Sequence, residues 1–420
     1  MNPLLSHLQP YPFERLRQLF HGIEPNPAYR PISLGIGEPK HATPSFILDA
    51  LDAAGRAAPS GLAFYPATAG DLKLRQAFTG WLQRRYGLTL DAATQTLPVN
   101  GTREALFALA QTVIDPRPGY QNEAMKPWVI CPNPFYQIYE GAAILSGARP
   151  WFVPAVPAKN FAPDWAAVPD SVWANTQLVF VCSPGNPTGA VMPLPDWQKL
   201  FTLSARHGFV IASDECYSEI YFRADAPLSG LEAAAKLGLK DFKNLIALTS
   251  LSKRSNVPGL RSGFVAGDAD IIQQFLLYRT YHGSAMSPVV QQASIAAWDD
   301  EKHVVANRQL YRQKFAEVTP VLAQVLDVAL PDAAFYLWAA VPGVDEEGLS
   351  RDIRFARDLY ANYNVTVLPG SFLARPGSSL DPQVKGPNPG AGRIRMALVA
   401  ETAECLEAAQ RIVQFCQSRN

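Results

Sequence analysis

Ser250-Leu251-Ser252-Lys253-Arg254-Ser255-Asn256-Val257-Pro258-Gly259-Leu260-Arg261-Ser262-Gly263-Phe264 follows directly on the apolar run Asn244-Leu245-Ile246-Ala247-Leu248-Thr249. The run reads as a buried strand, and the stretch after it as the turn at that strand's carboxyl end. Lys253 stands just past the strand, between hydroxyl side chains, with Arg261 further along the same loop. A lysine amine becomes a useful nucleophile only when burial or a nearby cation lowers its pKa. The set suits a lysine that bonds to a carbonyl cofactor while a serine and an arginine hold a phosphate. Alone it could equally be a solvated loop, because short motifs match by chance. The decision rests on the other strand ends.

From about residue 97 to 270, strand-like runs alternate with helical segments. The runs are 96–99, 128–131, 150–153, 178–182, 209–212, 245–248 and 263–266; helices are expected at 103–113, 137–145 and 194–207. Near-continuous apolar strands separated by helices predict an α/β fold with a mostly parallel sheet sandwiched by helices. Ligands of such sheets gather at the carboxyl ends of the strands. Four polar stretches fall there: Asn100-Gly101-Thr102, Ser183-Pro184-Gly185-Asn186-Pro187-Thr188-Gly189, Ser213-Asp214-Glu215-Cys216-Tyr217, and Ser250 with Lys253. All four should lie on one edge of the sheet.

Outside this region, residues 1–45 are Pro-rich and read as an N-terminal arm that belongs with a small domain. Residues 46–290 read as a large cofactor-binding domain and 291–420 as a small C-terminal α+β domain, interrupted by a Gly/Pro/Ser-rich loop at 375–392. One long helical pattern is expected from about 268 to 325.

The chain has 420 residues, 48% of them hydrophobic and 18% charged, enough for a large core. Lys+Arg and Asp+Glu are both 37. That balance argues against a general nucleic-acid binder. Five cysteines without a C-x-x-C pair suggest reduced thiols and a cytoplasmic protein. The histidine spacing supports no metal site. No signal-peptide pattern opens the chain, and no apolar run reaches the ~18 residues of a membrane span.

Each strand-end stretch has a use around pyridoxal phosphate. Gly101 and Thr102 open a helix, whose N–H groups attract an anion. Asp214 can pair with the pyridine nitrogen and let the ring act as an electron sink. Asn186 and Tyr217 can hydrogen-bond the ring's phenolic oxygen. Ser250 and Arg261 complete a phosphate cage. Tyr136, in Asn133-Pro134-Phe135-Tyr136, can stack on the ring.

The ordered set N-G-T, P-F-Y, S-P-G-N-P-T-G, S-D-E-C-Y, S-L-S-K and L-R-S-G resembles the fold type I pyridoxal phosphate enzymes of the aspartate aminotransferase superfamily. The resemblance spans nearly the whole chain, from Gly35-Ile36-Gly37-Glu38-Pro39 to the last helix. It implies that Lys253 is the Schiff-base lysine. It adds Tyr65, reaching the cofactor phosphate of a neighbouring subunit, and so a homodimer with a shared active site. It adds Gly37 near the substrate carboxylate, and Arg395 as the clamp on that carboxylate in preference to Arg393.

Two stretches narrow the resemblance. Cys131-Pro132-Asn133-Pro134-Phe135-Tyr136-Gln137-Ile138-Tyr139 and the tail from Leu368-Pro369-Gly370-Ser371 to Arg393-Ile394-Arg395-Met396 look like the succinyldiaminopimelate aminotransferases of bacterial lysine synthesis. The implied reaction moves an amino group between N-succinyl-LL-2,6-diaminopimelate and 2-oxoglutarate, ping-pong through pyridoxamine phosphate. Arg375 and Lys385 are then possible partners for the distal carboxylates, or simply exposed loop charges. Two kinds of alternative stay open. One is another aminotransferase (aspartate, alanine or acetylornithine type) or a carbon–sulfur lyase on the same fold. The other is a non-catalytic regulatory protein.

Overall fold

The computed structural model describes residues 1–239, 241–346, 348–379 and 386–419. In chain order the strands are β1 (Ile32–Ser33), β2 (Thr96–Val99), β3 (Trp128–Asn133), β4 (Arg149–Val156), β5 (Ala162–Pro163), β6 (Thr176–Cys182), β7 (Val210–Asp214), β8 (Leu245–Ser250), β9 (Gly263–Gly267), β10 (Tyr336–Ala340), β11 (Val365–Thr366), β12 (Leu368–Pro369) and β13 (Arg393–Ala397). Eight of them form one sheet in the order β2-β9-β8-β7-β6-β3-β4-β5. The pairs from β8 through β7, β6 and β3 to β4 are parallel. β9 runs antiparallel to both neighbours, and β5 runs antiparallel to β4. The sheet is therefore mixed, with a parallel centre.

β7 and β8 are buried along their whole length, which is why they read as apolar runs. Phe78, Trp81, Trp197, Phe209 and Trp298 pack in one core cluster. Leu106, Leu109, Tyr139, Phe152 and Phe180 pack in another, and side chains of the central strands enter both. Alternation along a strand sends neighbouring side chains to opposite faces, so the sheet is covered on both sides.

Helix boundaries follow local chemistry. Helix Leu72–Tyr86 begins where the Asp71 side chain accepts from the Lys73 amide and ends at Gly87 in the left-handed conformation. Helix Leu194–His207 starts after Pro193 and stops at left-handed Gly208. The long helical pattern expected from 268 to 325 is three helices, Ala269–His282, Pro288–Asp299 and Lys302–Leu322. Gly283 at positive φ and Pro288 at a helix start make the first break. Helix Pro288–Asp299, across the division expected at 290, packs on helices Ser45–Arg56 and Leu72–Tyr86. Helix Lys302–Leu322 leads into the second unit.

That unit is built on the sheet β10-β13-β12. Its core gathers Tyr311, Phe315, Phe335, Leu337, Ile394, Met396 and Ile412. The arm joins it: β1 pairs in parallel with β11, and the Ala397 amide donates to the Leu34 carbonyl at 2.7 Å.

The segment after β12 crosses back to the large sheet. Arg375, offered by the sequence as a partner for substrate carboxylates, is buried. Its Nε and Nη2 bond both Glu140 oxygens at 2.7 and 2.6 Å, and Asn133 bonds its main chain. A guanidinium committed to a buried carboxylate is not free for a ligand, so that reading is corrected. Lys385 lies outside the described residues.

Breaking this pair should leave one buried charge alone. We expect Glu140→Gln to lower unfolding free energy by about 3 kcal/mol, and the double variant Glu140→Leu/Arg375→Met to recover most of it. Urea unfolding of the two variants checks this.

Candidate active site

β2, β3, β6, β7 and β8 all end on the same edge of the sheet, and antiparallel β9 begins there, with Ser250 paired to Gly263 and Val99 to Gly263. Above this edge lies a cavity of about 540 Å³. It is lined by Thr102, Tyr136, Asn186, Asp214, Tyr217, Ser250, Lys253 and Arg261 around the edge of the eight-stranded sheet, Gly37 after β1 and Arg395 from β13. Ten of the predicted site residues thus meet in one place. Gly101 sits at its wall: it has positive φ, and a Cβ there would overlap the Arg261 guanidinium. Only glycine lets that arginine lie against the start of helix Thr102–Val113. Gly37 is similar, since its Cβ would overlap the Tyr336 hydroxyl.

Lys253 Nζ donates to the Gly37 carbonyl at 2.9 Å. Burial, the largest influence, lowers its pKa to about 8; Arg395 and Arg103 push the same way, against Cys216 and Glu38. Asp214 is 4% exposed and has no ion-pair partner among the described residues. Its Oδ2 accepts from the Tyr139 hydroxyl at 2.8 Å and its Oδ1 from the Cys216 amide at 3.3 Å. Burial raises its pKa, and the bonds from Cys216 and Tyr139 oppose the rise.

Arg395 is 3% exposed. Its Nη1 donates to Asn186 Oδ1 at 3.0 Å and its Nη2 to the Gly35 carbonyl at 2.7 Å, while Nε has no partner among the described residues. The guanidinium stacks 4.4 Å from the Tyr336 ring centre. Arg393 does not line the cavity and stacks on Phe161 at 4.9 Å.

Tyr136 lines the cavity with its hydroxyl accepting from Arg103 Nε at 2.7 Å. Tyr65 is 99% exposed and lies outside its own chain's cavity. Sequence reasoning missed Tyr139, Tyr336, Ser252 and Arg103. Tyr217 Oη lies 2.9 Å from Tyr336 Oη, a contact between residues far apart in sequence that no local motif announces. Tyr139 was within a quoted stretch, three residues past Tyr136, but its aim at Asp214 depends on tertiary packing.

A lysine with a lowered pKa, a buried carboxylate and an anion cradle at strand ends define a fold type I pyridoxal phosphate site on an α/β sheet. Residues 29–412 match aminotransferase class I and II, and the chain belongs to that family. LL-diaminopimelate aminotransferase from Nitratidesulfovibrio vulgaris (strain DP4) is 32% identical over 387 residues, 91% of this chain and 91% of that protein. The crystal structure of an aminotransferase from Neisseria meningitidis Z2491 is 53% identical, covers 99% of this chain and 100% of that one, and superposes with a TM-score of 0.90. A structure described as a probable N-succinyldiaminopimelate aminotransferase from Thermus thermophilus is 25% identical, with 96% and 98% coverage and a TM-score of 0.80. The protein is a pyridoxal phosphate-dependent aminotransferase acting on small amino and keto acids. The relatives thus support the activity, while the substrate named in the sequence resemblance is finer than they reach. No described helix is long and apolar enough to cross a membrane.

The residues fit the cofactor. An isolated buried carboxylate is costly, and a protonated ring nitrogen would relieve Asp214. The helix start at Thr102, with Ser250, Ser252 and Arg261, could hold the phosphate.

Two outcomes follow. In cofactor-free protein, the neutral fraction of Lys253 falls about tenfold per pH unit below about 8 and is complete above it. The rate of cofactor capture should therefore rise with pH and level off just above 8; an unshifted amine would still be gaining at pH 10. Separately, Tyr139→Phe removes a buried donor to Asp214 and should weaken cofactor retention roughly tenfold, by about 1.5 kcal/mol, read by equilibrium dialysis.

Proposed function

We propose that this aminotransferase moves an amino group between N-succinyl-LL-2,6-diaminopimelate and 2-oxoglutarate. The observation that supports amino-acid transfer is Arg395, a buried guanidinium lining the cavity that, among the described residues, bonds neutral acceptors alone and leaves Nε without a partner. A substrate α-carboxylate would supply its missing anion through a bidentate fork. Asn186 and Gly35 hold the fork in place until then.

Lys253 Nζ is the base that takes the proton from substrate Cα and later returns it. Its lowered pKa keeps much of it neutral near pH 8, and the Gly37 carbonyl aims it. Pyridoxal phosphate, when bound, supplies the electron sink that holds the charge left at Cα. Asp214 would keep the ring nitrogen protonated, and Asn186 and Tyr217 would donate to the phenolic oxygen. Gly101, Thr102, Ser250 and Arg261 would hold the phosphate, and Tyr136 would stack on the ring.

Arg103 supports the anionic far end of the substrate. With Lys253, Arg261 and Arg395 assigned, it is the remaining cation lining the cavity among the described residues, and its bond to Tyr136 uses Nε. Tyr11, Pro12, Phe13 and Gln137 extend the same space. The second reading is free LL-diaminopimelate, favoured by the names of relatives 30–32% identical. The exposed Leu62, Phe64 and Tyr65 suit a partner subunit, and we include a homodimer in the proposal.

A panel decides among these. Glutamate formation from 2-oxoglutarate should be fastest with the succinylated donor, at least about 100-fold in kcat/KM over aspartate, alanine and N-acetylornithine. Arg103→Met should raise KM for it more than tenfold while leaving alanine within about twofold. Preference for free LL-diaminopimelate selects the second reading.

A further inference from the structure

Behind the cavity, three parts of the chain join in a run of hydrogen bonds that ends on the main chain of Lys253. Lys314, on helix Lys302–Leu322, is 1% exposed and has no ion-pair partner among the described residues. Its Nζ lies 2.8 Å from His41 Nε2. His41 Nδ1 lies 2.8 Å from Asn307 Oδ1, which also accepts from Asn256 Nδ2 at 3.0 Å. Asn307 Nδ2 reaches the Lys253 carbonyl at 3.4 Å. An ammonium only donates, so His41 Nε2 must accept and its proton must sit on Nδ1. The donors of Lys314, His41 and Asn307 then point one way, toward Lys253, and Asn256 donates into Asn307 from the side.

The arm holds the lysine from its other end too. Gly37 takes the Nζ, and Thr43 Oγ1 donates to the Asn256 carbonyl at 3.1 Å. His41 lies between these two contacts in the sequence. A buried cation with no ion-pair partner among the described residues is costly, and the Glu401 carboxylate favours the charge only through space.

We propose that His41 and Lys314 are positioning residues for the transamination: the buried ammonium holds His41 as the neutral Nδ1–H tautomer, and the held ring ties arm segment 37–43 to the main chain at Lys253. The proposal rests on Lys253 being the lysine that moves the proton. Arm, helix and lysine then form one rigid unit, which fixes how far Nζ reaches.

The arrangement has a sign with pH. His41 faces Asn307, Lys314 and the Tyr311 ring from one helix, and Glu401 ahead of the last helix. Lys314 faces Cys405, Glu401 and Lys40. Burial lowers the pKa of His41 below its ordinary 6.5. The ring is therefore neutral at pH 7. As pH falls through its lowered folded value, it gains a second proton, Nε2 meets an ammonium as a donor, and the link opens.

Hydrogen exchange by mass spectrometry tests this on the full-length protein, with and without cofactor. Lys314→Met should speed exchange about tenfold or more in peptides covering 35–43 and 251–257, and Lys314→Arg should restore most of the protection. Lys314→Met should also lower kcat about tenfold with KM within about twofold. In the wild type, exchange corrected for its intrinsic rate should rise in both peptides below pH 6.5. In His41→Gln, which keeps an acceptor for Lys314 but cannot titrate, it should not. Unchanged exchange at 251–257 in Lys314→Met overturns the relay. Altered exchange with unchanged kcat overturns its part in the reaction. Wild-type protein inactive toward every amino donor would overturn the aminotransferase reading instead, leaving the exchange result to stand by itself.

Discussion

Level register across the parallel centre of the sheet is the constraint on which everything else rests. Cys182 pairs with Asp214, and Asp214 with Leu248. β6 and β7 therefore end level, β8 runs on to Ser250, and the turns that follow all three open onto one space. β9 and β2 continue the edge, because Gly263 pairs with both Ser250 and Val99. Side chains alternate faces along a strand, so a slip of one residue would turn Asp214 away from the cavity. The buried, β-branched-rich strands on either side hold the register.

The site so formed is electrically incomplete. Among the described residues Asp214 has no cation and Arg395 no anion as ion-pair partner, and Lys253 is pushed toward its neutral form. Each is an energetic cost to the free protein. A ligand with a ring nitrogen, a phosphate and a carboxylate would offset them together, and binding of that kind stabilises the folded state by mass action. The three groups that cost the free protein stability are those to which the proposal gives the chemistry. Rigid surroundings keep them from collapsing onto one another: Tyr139 and Cys216 on Asp214, Asn186 and Gly35 on Arg395, Gly37 on Lys253.

Much of this was legible in the sequence, and the division is physical. Strand ends announce themselves as apolar runs stopped by Gly, Pro, Asn and Ser, so Asn186, Asp214 and Lys253 could be found from local text. Helices Leu72–Tyr86 and Leu194–His207 begin and end where their caps and periodicity say. What escaped depends on distance in the chain. The Tyr217–Tyr336 contact, the Arg375–Glu140 pair and the Lys314–His41 link each join residues separated by a hundred positions or more. Arg375 looked like a loop charge because the loop's polar text gives no hint that its first residue returns to the large sheet. The direction of β9 was equally hidden, since an antiparallel strand buried on both faces reads like a parallel one.

Site mapping with a reductant tests the central claim most directly. Cofactor-loaded protein is treated with borohydride, digested, and every lysine-containing peptide is weighed. Lys253 should carry the phosphopyridoxyl group in nearly every molecule, and Lys253→Ala should carry none anywhere. A label on another lysine, or an Ala variant that still takes it up, would contradict the account.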